Sequence, residues 1–204
     1  MLKQVLVITQ INNDQILGSS TTELVSFGIL KDFDFWVADP SNLSKKTGKP
    51  IEAFCQKVVS ATIASEITRH CCCFGKLETR NIENFDIILM RVQPPMDCSY
   101  FAICSMLSEL PKYILIINDP LGIMNIHEKI IPLSFPSIHP VTLISKNLNQ
   151  MMSFVEKNNF AILKPLYNYQ GNDVIKVSLE NAENSIKKCN QSCWRLREKG
   201  EIHP

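Results

Sequence analysis

The sequence predicts an α/β protein in which an N-terminal, mainly parallel sheet flanked by helices is followed by a smaller α+β unit. Four short apolar runs occur in the first 120 residues, at Val5–Ile8, Phe33–Val37, Ile87–Met90 and Ile114–Ile117. They lack strict alternation, which is typical of strands covered on both faces in a parallel sheet. Helical patterns separate some of these runs, and strand, helix, strand at this spacing indicates a βαβ arrangement.

The helices of the first part are predicted from their periodicity and their end signals. Residues Thr21–Leu30 form a helix after the polar cluster Gly18-Ser19-Ser20. A second helix begins after Ser99 and ends at Pro111, with one apolar face. Two other segments complete this part: Val58–Thr68 is rich in β-branched residues and is predicted to be extended, and Leu43–Pro50 is predicted to be a surface loop.

A change in composition after Ile117 predicts a domain boundary near residue 121. The turn signal Asn118-Asp119-Pro120 is followed by a short helix and proline-broken segments. An i, i+3, i+4, i+7 apolar stripe then predicts a helix after the N-cap Asn147, and Ala161–Lys164 is the next strand. We therefore expect domains at 1–121 and 122–188, with 189–204 as a separate tail.

Composition excludes several classes of protein. Apolar residues make up 45% of the 204 residues, charged residues 20%, and the net charge is +1, without a basic stripe that would favour nucleic acid. No apolar run has the length of a membrane span, and the N-terminus lacks the features of a signal peptide. The sequence thus predicts a cytoplasmic protein with reduced cysteines and no nucleic-acid or membrane partner.

The cysteines do not predict a metal site. His70-Cys71-Cys72-Cys73 is the most suggestive cluster among the eight cysteines. Consecutive residues of a strand point to opposite faces, so four in a row do not converge on one ion.

The candidate binding residues lie at the ends of predicted strands. In ILKPLYNYQGNDVIK, an apolar run carries Lys164 to its end, Pro165 follows, and a polar loop runs from Leu166 to Asp173. From periodicity alone, Lys164 is an ordinary strand-end lysine that reaches solvent. Arg91, at the end of another strand, is either a substrate contact, since ligands gather at the carboxyl ends of parallel strands, or the ion-pair partner of Asp97.

Several stretches together resemble the bacterial glutathione synthetases. FDIILMRVQPPMD contains the family's ILMR-x-x-PP-x-D segment, and ILIINDP resembles the following strand and Asn-x-Pro turn. HEK, at His127–Lys129, matches an Asn-Glu-Lys in the family, FPSIHPVTLISKN fits the next segment, and AILKP matches the family's ILKP. The resemblance covers roughly residues 1 to 188.

The resemblance implies an ATP-grasp ligase: a pre-ATP-grasp type domain followed by an incomplete ATP-grasp α+β subdomain. In that family the carboxylate of γ-glutamylcysteine attacks the γ-phosphate of ATP, and the amine of glycine then displaces the acyl phosphate. It implies that Lys129, Lys164 and the loop glycine Gly171 bind ATP and that Arg91 binds substrate. No catalytic residue is assigned, and the acidic magnesium ligands of the family are not found in this chain.

The sequence also departs from the family pattern. Family members have several glycines in the loop after the second lysine, whereas this chain keeps only Gly171. The last stretch, CNQSCWRLREKGEIHP, resembles nothing in the family. We therefore expect a truncated or frameshifted chain that is inactive on its own, with an aberrant tail, 189–204, that packs poorly.

Three other readings stay open. The first hypothesis is another ATP-grasp carboxylate–amine ligase, such as those that add glutamate to ribosomal protein tails. The second is a non-catalytic remnant, and the third is one half of a split enzyme. The partner would be a complementing C-terminal chain in the last case, and a homo-oligomer is the other expected assembly.

Overall fold

The computed structural model describes residues 2–11, 19–63, 70–167, 171, 173–188 and 194–197. The chain divides into two units, one made of residues 1–93 and 97–125 and the other of residues 94–96 and 126–204. Within the described ranges, no helix is both long and apolar enough to cross a membrane.

A seven-stranded sheet forms the centre of the first unit, in the order β3-β4-β2-β1-β6-β7 with β5 paired to β4. Its strands are β1 (Lys3–Ile8), β2 (Phe33–Ala38), β3 (Leu43–Lys45), β4 (Ile51–Ile63), β5 (His70–Asn81), β6 (Ile87–Met90) and β7 (Leu115–Ile117). The neighbours β2-β1-β6-β7 are parallel, whereas β3, β4 and β5 are joined by antiparallel pairs. The α/β fold class is therefore confirmed, with an antiparallel extension on one side of the parallel strands.

Helices cover both faces of the parallel strands, and this explains the nearly continuous apolar runs. The helices of this unit are α1 (Ser19–Ile29), α2 (Cys98–Ser108) and α3 (Pro120–Asn125). On one face, Leu6 and Met90 belong to the same buried cluster as Leu107 of α2; on the other, Val7 shares a cluster with Val25 of α1.

Two local predictions in this unit need correction. The segment Leu43–Pro50 is a hairpin rather than a loop, because β3 pairs with the start of β4 and Gly48 takes the positive φ of +69° that the turn requires. Helix α2 begins before Ser99, because the carboxylate of Asp97 accepts the backbone N–H of Tyr100 at 2.9 Å and caps the helix there.

The second unit contains a four-stranded antiparallel sheet in the order β10-β9-β11-β8. Its elements are β8 (Thr142–Ser145), α4 (Leu148–Asn158), β9 (Phe160–Pro165), β10 (Ile175–Ser178), α5 (Ala182–Lys188) and β11 (Trp194–Arg197). The predicted N-cap is confirmed, since the side chain of Asn147 accepts the N–H of Gln150. Both helices contribute to the core: Val155 of α4 and Ile186 of α5 join Leu163 of β9 in one buried cluster.

We expected the tail to pack poorly, and within it the backbone of residues 194–197 is paired in the sheet. The backbone of β11 lies between β8 and β9, with Leu196 opposite both Leu143 and Leu163. The pairing depends on backbone groups, which any sequence except proline provides, so the unfamiliar side chains of the tail did not reveal it. Burial of Trp194 would count against an aberrant tail, but its side chain lies outside the described residues.

Candidate functional site

Lys129 is directed at the beginning of the loop that follows Lys164. Its Nζ lies 2.9 Å from the carbonyl oxygen of Leu166 and 2.6 Å from Oε1 of Glu128. The side chain of Lys129 is only 17% exposed, whereas that of Glu128 is 76% exposed. Solvent screens the Glu128 contact strongly, so the backbone carbonyl is the contact that fixes the direction of the lysine.

His127 supports the backbone from which Lys129 projects. The Nδ1 of His127 accepts the backbone N–H of Lys129 at 3.1 Å, and its carbonyl accepts the N–H groups of Ile130 and Ile131. The ring also meets the ring of Tyr167 edge-to-face, with 5.1 Å between centroids and 78° between planes. Burial, and then the charge of Lys129, lower the pKa of His127, while Glu128 opposes them. The imidazole is therefore neutral at pH 7.

The alternation of β9 decides which way Lys164 faces. Ala161, Leu163 and Pro165 are buried, whereas Ile162 and Lys164 between them are half-buried. Since successive side chains of a strand point to opposite faces, Lys164 lies on the face away from the buried cluster that contains Leu163. Lys176 of β10, whose Cα is opposite Ile162, lies on the same face as Lys164, and its ammonium sits over the Phe160 ring at 5.1 Å.

Gly171 lies where the backbone requires glycine. Its φ is +77°, and a Cβ there would meet no atom within 4 Å. Glycine is therefore favoured here by the backbone conformation and not by crowding around a side chain. The carbonyl of Gly171 accepts the N–H of Val174, which closes the turn before β10. The non-glycine loop positions 168–170 lie outside the described residues.

Arg91 belongs to the first unit, at the carboxyl end of β6. Its backbone N–H donates to the carbonyl of Ile8, and its guanidinium donates to Ser20 Oγ at 2.8 Å and to Thr21 Oγ1 at 3.3 Å. The first turn of α1 therefore orients the arginine. Asp97, the alternative partner suggested by the sequence, accepts a backbone N–H of α2 instead.

The described residues do not fit a magnesium site. Among them, no group of three or more His, Cys, Asp or Glu side chains could hold a metal ion. Magnesium prefers several oxygen ligands, mostly carboxylates and phosphates. The candidate residues Lys129, Lys164 and Gly171 offer ammonium groups and backbone N–H groups, which suit phosphate oxygens instead.

Two family models match the chain, one after the other. Residues 2–123 match the N-terminal domain of prokaryotic glutathione synthetase, and residues 128–195 match its ATP-grasp domain. The chain belongs to the prokaryotic glutathione synthetase family. The second match includes the beginning of β11, so part of the segment that resembled nothing to us is similar to the family.

The curated relatives are glutathione synthetases of moderate similarity. The chain is 32% identical over 103 residues to the glutathione synthetase of Bradyrhizobium diazoefficiens, a match that covers 50% of this chain and 33% of that relative. It is 30% identical over 173 residues to that of Anaplasma centrale, covering 84% of this chain and 53% of the relative. The chain thus spans about a third to a half of the length of these relatives.

A solved structure confirms the fold. The D-alanyl-alanine synthetase A of Vibrio cholerae superposes with a TM-score of 0.57 over 98% of this chain and 61% of its own, at 10% identity. At that identity the likeness concerns the fold alone, which is that of an ATP-grasp ligase, incomplete in this chain.

Sequence reasoning did not find the residues that support the site. It named Lys129 and Arg91, but it assigned no role to His127 and did not connect Ser20 and Thr21 with Arg91. A polar cluster at the start of a helix was the available signal for the hydroxyl contacts. No local signal indicates the contact of His127 with Tyr167, which lies 40 residues away.

Proposed function

We propose that this chain provides the N-terminal substrate domain and the first part of the ATP-grasp domain of a glutathione synthetase. The observation that carries the proposal is the contact of the Lys129 ammonium with the carbonyl of Leu166, two residues beyond Lys164. This contact supports a site in which both lysines and the loop with Gly171 act on one polyphosphate.

The reaction we propose for the complete site is the formation of an amide in two steps. A carboxylate oxygen of γ-glutamylcysteine attacks the γ-phosphorus of ATP, and the bond to ADP breaks, which leaves an acyl phosphate. The amine of glycine then attacks the acyl carbon, loses a proton and releases phosphate. Lys129 and Lys164 would stabilise negative charge on the transferred phosphoryl group, and Arg91 would hold the substrate.

For this chain alone we expect weak ATP binding and no glutathione. Isothermal calorimetry with ATP and magnesium should give weak binding that the Lys129→Met and Lys164→Met variants reduce further. Lys176→Met is the matched control, because this lysine lies on the same sheet face but does not belong to the proposed site. A coupled assay of ADP release with γ-glutamylcysteine and glycine should stay at background.

Two outcomes would contradict these statements separately. Tight ATP binding with glycine-dependent turnover would show that the chain is active by itself. An equal loss of binding in the Lys129, Lys164 and Lys176 variants would mean that ATP responds to general positive charge, which would remove the proposed site. ADP release that depends on a different amine would favour another ATP-grasp ligase.

The assembly of the chain is also a proposal. Two assemblies stay open, a complementing C-terminal chain and a homo-oligomer. Light scattering of the purified chain distinguishes a monomer from an oligomer.

A further inference from the structure

Two segments of the second unit that are distant in sequence meet at two points. The ammonium of Lys129 donates to the carbonyl of Leu166, and the ring of His127 contacts the ring of Tyr167, the next residue. An edge-to-face arrangement at 5.1 Å is favourable for aromatic rings. Leu166 and Tyr167 are therefore held beside Lys129 by a ring contact in addition to a hydrogen bond.

The hydrogen bonds of His127 determine where its proton is. Nδ1 accepts the N–H of Lys129, so the single proton of the neutral ring is on Nε2. Nε2 is buried and has no hydrogen-bond partner within the described part of the chain. A second proton would have to bind Nδ1, where it would face the N–H of Lys129 and break this hydrogen bond.

Burial and the charge of Lys129 act in the same direction on the ring, and the charge of Glu128 opposes them. On its own turn, the Lys129 ammonium repels an imidazolium and the exposed Glu128 carboxylate attracts it. Among the described loop residues, Tyr167 contacts the ring. Burial is the largest effect, and with Lys129 it lowers the pKa of His127 from its ordinary value near 6.5. The ring therefore stays neutral at pH 7 and gains a proton only on acidification.

We propose that His127 is a positioning residue whose neutral ring, oriented by the N–H of Lys129, holds Tyr167 beside Lys129, and that a proton on Nδ1 breaks this orientation and releases Tyr167. The contribution of the contact is fully present above about pH 6.5 and is lost as the pH falls through the lowered pKa of the folded state. The consequence for ATP rests on the proposed function, whereas the contact itself does not.

Three substitutions separate the parts of this device. In His127→Asn the side-chain oxygen can accept the N–H two residues later, but asparagine has no ring and does not titrate. Tyr167→Ala removes the partner ring. Tyr167→Phe keeps the ring and is the matched control.

The first test uses NMR of the imidazole C–H signals between pH 4.5 and 8. The chain has four histidines, and the signal that disappears in His127→Asn identifies this one. We expect the pKa of His127 to be unchanged in Tyr167→Phe and to rise towards its ordinary value in Tyr167→Ala, because the ring becomes more exposed. Equal pKa values in the two variants would overturn the proposal.

The second test measures amide exchange of residues 165–174, corrected for the intrinsic effect of pH. Loss of the ring contact should increase exchange by about two- to tenfold in Tyr167→Ala at pH 7.5, and in the wild type only below the His127 transition. His127→Asn should exchange fast at every pH. Wild-type exchange that does not change across the transition would also overturn the proposal.

Calorimetry with ATP and magnesium distinguishes this inference from the proposed function. If ATP binds, its affinity should fall in the wild type as His127 gains its proton and should not change with pH in His127→Asn. If ATP does not bind at any pH while the NMR and exchange results are as expected, the proposed function fails and the positioning role stands. Binding of ATP with the same pH dependence in both proteins would overturn the role of His127.

Discussion

Replacement of Leu163 by alanine tests which face of β9 belongs to the core of the second unit. Leu163 is 0% exposed and shares a buried cluster with Met151, Val155 and Val177. Truncation at comparable buried sites leaves a cavity and costs about 2.7–5 kcal/mol. Since about 1.4 kcal/mol changes an equilibrium constant tenfold, opening of this unit should become at least about a hundredfold more frequent.

Hydrogen–deuterium exchange of peptides from β9 and α4 measures this effect in the second unit directly. Ile162→Ala is the matched control, because Ile162 is the adjacent residue, points to the opposite face and is only half-buried. We expect a cost of about 1 kcal/mol for the control, or roughly fivefold faster exchange. If Ile162→Ala increased exchange as much as Leu163→Ala, the face that carries Lys164 would be equally packed, and our assignment of Lys164 to an accessible face would be wrong.

Two further predictions concern the first unit. Burial raises the pKa of the Cys55 thiol to about 11. Cys55 should therefore resist labelling by maleimide in the native protein, while the exposed Cys73 and Cys98 react. Rapid labelling of Cys55 in the native protein, detected by peptide mapping, would contradict its burial. Burial alone would raise the pKa of Asp39, but hydrogen bonds from Ser41 and a neighbouring N–H outweigh it and lower the pKa. The carboxylate therefore stabilises the fold above about pH 4 and loses this effect as the pH falls through the lowered pKa. Asp39→Asn should therefore lower the Tm at pH 7 and lower it less as the pH falls below about 4, and an equal loss at every pH would exclude this role of the charge.

The strands that could be predicted are those whose burial is local and two-sided. Val5–Ile8 and Ile87–Met90 are apolar because helices cover both faces of the sheet, and this leaves a signal in a short window of sequence. Helix α4 was predictable for a similar reason: its apolar stripe and its Asn147 cap are both contained in about twelve residues.

The features that could not be predicted depend on pairing between distant segments. The antiparallel extension formed by β3, β4 and β5 depends on hydrogen bonds between backbones, and propensity does not specify the partner of a strand. The same reason applies to β11, which lies between β9 and β8 although it is the last of the three in the chain. At the candidate site, Lys129 and Lys164 were identified through the family resemblance. The ring contact of His127 with Tyr167 is a tertiary contact without a local signal in the sequence.

The proposed site would account for attraction of a polyphosphate better than for its transfer. An exposed contact between a lysine and an anion contributes about 0–1 kcal/mol, so Lys129 and Lys164, with a few backbone N–H groups, supply a few kcal/mol together. A binding free energy near 4 kcal/mol corresponds to a Kd of about 1 mM. Transfer of a phosphoryl group needs further stabilisation of charge, which metal ions commonly provide and for which the described residues offer no carboxylate cluster. A Kd in the micromolar range for the purified chain would therefore require donors beyond the two lysines, either in segments outside the described ranges or on a second chain.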